Sequence, residues 1–185
     1  MSLQAGAQSL FLGGGPGFSL LSPDARAVDR TASFYSPKMG AIAHVHTGAH
    51  FHDYLSVQAA YVRTRNNADV TRAGVDAGSF FQSTRSLGQH QSGLDFLLYF
   101  RDRRSWARPF LSTGLAVTAF DQAGGTRAGI RVAAGIDLMS RSGWGFRYSF
   151  LETITGNPLA ERVFLRPGGA KLMTFQNLFG VVKYF

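Results

Sequence analysis

Gly143-Trp144-Gly145-Phe146-Arg147-Tyr148-Ser149-Phe150-Leu151-Glu152-Thr153-Ile154-Thr155 divides cleanly when read at every second residue. One set is Trp144, Phe146, Tyr148, Phe150, Glu152 and Ile154. The other is Gly145, Arg147, Ser149, Leu151 and Thr153. Successive side chains of an extended strand point to opposite faces, so this is a strand with one large aromatic face and one small or polar face. The segment before it, residues 128–139, repeats the pattern. Ile130, Val132, Ala134, Ile136 and Leu138 oppose Gly129, Arg131, Ala133, Gly135, Asp137 and Met139. Ser140-Arg141-Ser142-Gly143 between them has the composition of a tight turn.

The alternation continues outward in both directions. Strands are expected over residues 37–49, 54–65, 89–100, 106–120 and 171–185, which with the first two makes seven. An eighth lies within residues 9–19, where Leu10 and Leu12 alternate with Phe11 and Gly13; Gly13-Gly14-Gly15-Pro16-Gly17 could equally be a flexible lead-in. Pro109 fits a closed sheet badly, so a bulge or a later strand start is expected there. Short connections (50–53, 101–105, 140–143) alternate with longer ones (20–36, 66–88, 121–127, 156–170). An up-and-down meander then collects the short turns at one end and the long loops at the other.

The two faces differ in a way that sets their orientation. The small face carries Gly, Ser, Thr, Gln and Ala with isolated Arg and Asp; the other is dominated by Phe, Leu, Val and Ile. A soluble barrel would turn the apolar face inward and cover its outside with Lys and Glu. Yet Lys38, Lys171 and Lys183 are the only lysines among 185 residues. Small and polar residues suit the interior of a narrow barrel, and large apolar ones suit lipid hydrocarbon. Backbone groups in hydrocarbon must be paired within the protein, so a spanning sheet must close. The expectation is an all-β, eight-stranded antiparallel up-and-down transmembrane β-barrel over residues 9–185, preceded by a flexible lead-in at residues 1–8.

Composition narrows the function classes. Charged residues make up 16% of the chain and hydrophobic ones 45%, which argues against disorder. With 22 glycines, a helical bundle is disfavoured. Cysteine is absent, which removes disulfides, thiol nucleophiles and cysteine-ligated zinc. No apolar run reaches the ~18–20 residues of a spanning helix. The net charge is +8, but the arginines are dispersed and no nucleic-acid-binding motif accompanies them, so nucleic acid is not an expected partner. Residues 1–6 lack the features of a secretion signal; either the protein is not exported, or a signal was removed and replaced by a start methionine.

The C-terminal stretch Phe175-Gln176-Asn177-Leu178-Phe179-Gly180-Val181-Val182-Lys183-Tyr184-Phe185 resembles that of the bacterial outer-membrane β-barrel superfamily. Within it, the chain is similar to small eight-stranded members such as the transmembrane domain of outer membrane protein A and small porin-like proteins. The second likeness is carried by Arg147-Tyr148-Ser149-Phe150 and Gly156-Asn157-Pro158 together with Phe175 to Gly180. The resemblance implies a bacterial outer-membrane location, contact with outer-membrane lipids and a monomer. It also implies that the barrel assembly machinery reads the last strand, where Phe179, Val181 and Phe185 match the pattern and Lys183 departs from it.

Candidate chemistry is sparse. A short turn at 140–143 sets Asp137 opposite Arg147, both facing inward, and Arg131, Asp95 and Arg108 are expected to share the lumen. These five read as a structural ion-pair network that closes the barrel, or as a charged ion path. His44 and His46 share a face, but no carboxylate is dependably beside them, so no metal and no cofactor is expected. His90 and Ser92 share a face while Glu152 belongs to another hairpin, and no G-x-S-x-G is present, so no enzyme is expected. Arg26, Arg30, Arg63, Arg65, Arg72, Arg85, Arg162 and Arg166, in or beside the long loops, could contact lipid phosphates. The reading is a structural, anchoring or surface-interacting membrane barrel. Its rivals are a narrow porin, a soluble barrel binding an apolar ligand, and a lipid-modifying enzyme.

Overall fold

The computed structural model describes residues 9–21, 34–73, 80–121, 125–156 and 171–185; at 9, 34–37, 68–73, 80–83 and 85 it describes the backbone alone. The expected lead-in at 1–8 and much of the 20–36 and 156–170 connections lie outside the described residues. The strands are β1 Ser9–Leu21, β2 Phe34–Pro37, β3 Gly40–His50, β4 Leu55–Ala73, β5 Phe80–Tyr99, β6 Ala107–Phe120, β7 Thr126–Met139, β8 Trp144–Gly156 and β9 Lys171–Tyr184. All pairings are antiparallel. The order runs β4-β3-β1-β9-β8-β7-β6-β5, and the pairing of β4 with β5 closes it into an eight-stranded barrel; β2 adds to the far end of β4. Closure leaves the barrel no free edge.

The orientation is the one the alternation requires. Leu94, Phe96 and Leu98 on β5, Leu111, Leu115 and Val117 on β6, and Ile130 and Val132 on β7 lie on the outer surface. Leu115 is 70% exposed. The lumen holds Asp95, Arg108, Arg131, Asp137 and Arg147, all buried. This is the inverse of a soluble barrel, whose greasy side chains would fill the middle. The lumen is nonetheless not uniformly polar. Ile42, Val62, Ala133, Leu151 and Leu178 form one apolar cluster, Leu97, Tyr99 and Phe110 another, and Leu21, Leu87, Phe120 and Leu172 a third.

Three local features depart from expectation. The 66–88 segment is not a long loop: β4 and β5 stay paired up to Ala73 opposite Phe80. A hairpin that leaves the hydrocarbon can be polar on both faces, so its sequence loses the greasy alternation that marks the wall. The strand expected from residue 37 is split. Pro37 pairs with Ala68 and Ala41 with Arg65, so residues 38–40 face only Asn66 and Asn67, and the register shifts by one. Asn66 fills this bulge, its Nδ2 donating to the Lys38 and Ser19 carbonyls. Pro109 causes no bulge, and its strand starts before it: the β6–β7 register is unbroken from Ala107 to Ala119. The Pro109 carbonyl accepts from the Phe100 amide at the last rung of the β5 side, where the missing N–H costs only one terminal bond.

The short turns are built locally. Gly143 has φ +78°, a left-handed conformation that glycine adopts without steric cost, and its amide donates to the Ser140 carbonyl. In the 100–106 turn the Asp102 carboxylate accepts from the Ser105 hydroxyl and from the Arg104 and Ser105 amides. The Ser105 hydroxyl bond, assisted by the two amides, holds the Asp102 carboxyl below the usual carboxylate range.

Candidate functional site: a closed polar lumen

Asp137 on β7 and Arg147 on β8 are direct register partners. Arg147 donates from Nε to Asp137 Oδ1 at 2.5 Å and from Nη2 to Oδ2 at 2.7 Å, a bidentate fork. Two tyrosines complete the cage. Tyr184 donates to Asp137 Oδ2 at 2.5 Å and Tyr99 does so at 3.2 Å, while Arg147 Nη2 donates to both phenol oxygens at 3.1 and 2.8 Å. Phe11 and Phe110 set their rings 5.2 and 5.0 Å from the same guanidinium. Every strong donor and acceptor of this buried pair is therefore engaged, the condition under which burying charge is tolerable.

A second pair sits further along the axis. Arg131 Nε lies 2.9 Å from Asp95 Oδ1, a charge contact off-line for a hydrogen bond, and Arg131 Nη1 donates to Gln91 at 3.2 Å. Gly93 makes room for it: a Cβ there would lie 2.5 Å from Arg131 Nη1. Gln58 joins the two pairs, its Oε1 accepting from Arg147 Nη1 at 2.6 Å and its Nε2 lying 3.5 Å from Asp95 Oδ2.

Four of the five lumen charges expected from the sequence thus form two ion pairs. Arg108 is the exception. It stands in register with Asp137 across β6–β7, but its guanidinium stacks 4.0 Å over the Tyr99 ring and Nη2 donates to the Asp53 carbonyl at 3.4 Å. The Asp137 carboxylate is held instead by the Arg147 fork and the two phenols. Gln58, Tyr99 and Tyr184 were not legible as members. Their inward parity was, but not which residues meet across the axis.

His44 and His46 stack with ring centroids 5.7 Å apart. Together with Asp95, Arg131 and Arg147 they line an internal cavity of about 30 Å³, room for one or two waters at most. Among the described residues no three His, Cys, Asp or Glu side chains converge as a metal site. His90 lies on the outer face, apart from Glu152: β5 and β8 are separated by β6 and β7. Its carboxylate neighbour is instead Asp121, 3.1 Å from Nε2, and Nδ1 lies 2.6 Å from the Tyr61 hydroxyl. Phe179, Val181 and Phe185 share the outer face of the last strand, with Phe185 71% exposed. Arg63 and Arg65 are exposed beside the long-loop end; the side chains of Arg26, Arg30, Arg72, Arg85, Arg162 and Arg166 lie outside the described residues.

No protein-family model matches the chain, and no curated protein does. Solved structures do. The outer membrane protein OprG from Pseudomonas aeruginosa superposes with a TM-score of 0.64 at 15% identity, covering 95% of each chain. Neisserial surface protein A gives 0.62 at 15% identity, covering 96% of this chain and 97% of its own. Ail, the attachment invasion locus protein of Yersinia pestis, gives 0.53 at 10% identity, with 96% and 98% covered. Helices are absent from the described residues, the sheet closes on itself at eight strands, and its greasy side chains point outward; the chain has the fold of the small eight-stranded outer-membrane β-barrels.

Proposed function

We propose that the protein is an integral outer-membrane barrel whose role is structural, anchoring or surface-interacting, with a lumen that does not conduct and no catalytic activity. The observation that carries this reading is the pairing of an apolar outer wall with a lumen filled by interlocked ion pairs. The outer wall suits a bilayer. The cavity among the lumen charges is only about 30 Å³, partly walled by Val62, Ala133, Leu151 and Leu178, and a further apolar cluster of Leu21, Leu87, Phe120 and Leu172 is also buried, which supports a closed lumen over a porin. The β4–β5 hairpin extends beyond the wall at the end opposite the short turns, which supports an outside role for that end. There Arg63 and Arg65 are suited to lipid phosphates. Phe179, Val181 and Phe185 are the residues through which the assembly machinery would read the last strand of a monomeric barrel.

The test is refolding into detergent, followed by gel mobility with and without boiling and by planar-bilayer recording. A faster-running unboiled band and a silent bilayer are the expected results. Discrete conductance steps that vanish in Arg147→Ala would favour the porin. Monodisperse solubility without detergent would refute membrane insertion.

A further inference from the structure

Arg131 and Arg147 are committed to carboxylate partners inside the lumen. Arg104 and Arg141, at the short-turn mouth, are exposed. Between the 100–106 and 140–143 turns opens a recess of about 630 Å³ whose lining includes Arg103, Arg104, Arg108, Arg141, Trp106 and Tyr184. We propose that this recess binds the phosphate group of an anionic glycerophospholipid from the leaflet that faces the short turns. The proposal rests on the reading of the chain as a membrane barrel.

The charge balance of the recess is one-sided. Four guanidinium groups line it and no carboxylate does. Asp53 lies 3.4 Å from Arg103 and offsets that one of the four, and Asp102 is held inside its own turn, which leaves Arg104, Arg108 and Arg141 without a carboxylate in the recess. Arg104 and Arg141 are exposed and spend no guanidinium hydrogen bond on any described residue. Arg108 is the second, independent sign. It is 1% exposed, yet its Nε meets no hydrogen-bond partner. A buried cationic donor without an acceptor is costly, and a phosphate oxygen is the acceptor that a guanidinium fork fits best.

The surroundings favour a lipid over a soluble anion. Trp106 is 69% exposed and Trp144 53%, and both point outward at this rim. Indole rings in this position mark the headgroup level. Below them the outer wall continues as Leu138 and Phe146, both exposed, which gives acyl chains a surface to follow. A headgroup in the recess would thus keep its tails in hydrocarbon, an arrangement that free phosphate cannot exploit.

Native mass spectrometry of the refolded barrel tests this, with phosphatidylglycerol and phosphatidylcholine of identical chains as probes and glycerol 3-phosphate as competitor. Wild type should retain phosphatidylglycerol about tenfold over phosphatidylcholine, a preference that falls to near parity in R104Q/R141Q and resists the competitor. Parity in wild type, or an unchanged preference in the double variant, overturns the proposal. Displacement by glycerol 3-phosphate overturns the lipid assignment in favour of a soluble phosphate. Both substitutions lie in exposed turns, so the boiling-dependent gel shift should persist in the variant. A wild-type protein that never shows that shift refutes the membrane reading and this proposal with it.

Discussion

Asp137 and Arg147 occupy one rung of the β7–β8 ladder, and their side chains are 0% and 4% exposed while joined by two hydrogen bonds. Removing one partner strands the other. Arg147→Met should lower the stability of the refolded barrel by about 3–5 kcal/mol, because Asp137 is left charged and buried. Arg147→Met combined with Asp137→Leu should recover most of that loss. Urea midpoints in detergent measure both, and an Arg147→Met midpoint equal to wild type would remove the pair from any account of the fold.

Gln58 is the link between the two ion pairs. Gln58→Leu deprives Arg147 Nη1 of its acceptor in a buried setting. A loss of about 1–3 kcal/mol is expected. Its coupling to Arg147→Met in a double-mutant cycle should be non-additive, since the two side chains touch. Strict additivity would contradict the contact.

Position on the outer wall should matter by depth. Leu115 lies midway along β6 on the lipid-facing surface, while Met39 sits at the bulge near the long-loop end. Leu115→Arg is expected to cost about 2–4 kcal/mol and Met39→Arg about 0–1. Folding into vesicles, read by the unboiled band, ranks them. Equal costs would mean that no hydrocarbon covers Leu115.

The 100–106 turn should loosen in acid. Hydrogen bonding to the carboxylate keeps the folded Asp102 pKa below its unfolded value. Its contribution is therefore present above the unfolded value, near about 4, and is lost as pH falls through the lower folded one. Amide exchange at Arg104 and Ser105, whose N–H groups donate to that carboxylate, should accelerate in that window. Asp102→Asn should weaken the response to pH. An exchange rate that follows intrinsic chemistry alone through the window contradicts the cap.

Deleting Phe185 separates assembly from stability. The residue is 71% exposed on the outer wall and touches no lumen network, so the truncated chain should refold in detergent with a near-wild-type midpoint. In cells its membrane-inserted fraction should drop several-fold if the last strand is read by the assembly machinery. Undiminished insertion, measured by membrane fractionation, would argue that the terminus is not the signal.

The wall of the barrel was legible residue by residue, because side-chain parity along a strand is a local property that no distant contact can reverse. Strand number, the inward set including Asp95, Arg131 and Asp137, and the outward set from Leu94 to Val181 all followed from it. So did the rung shared by Asp137 and Arg147, since a tight turn fixes the register of its own hairpin. The extended β4–β5 hairpin was hidden because strands in water need no greasy face.

What only the tertiary structure decided is who meets whom across the axis. Tyr99 and Tyr184 are separated by 85 positions, and Gln58 and Arg147 by 89. Their meeting depends on the combined stagger of all eight strands at closure, which no short stretch encodes. The same closure set the Arg108 guanidinium over the ring of Tyr99 and at the basic mouth, while Arg147, fixed opposite Asp137 by its own tight turn, takes the carboxylate in a bidentate fork.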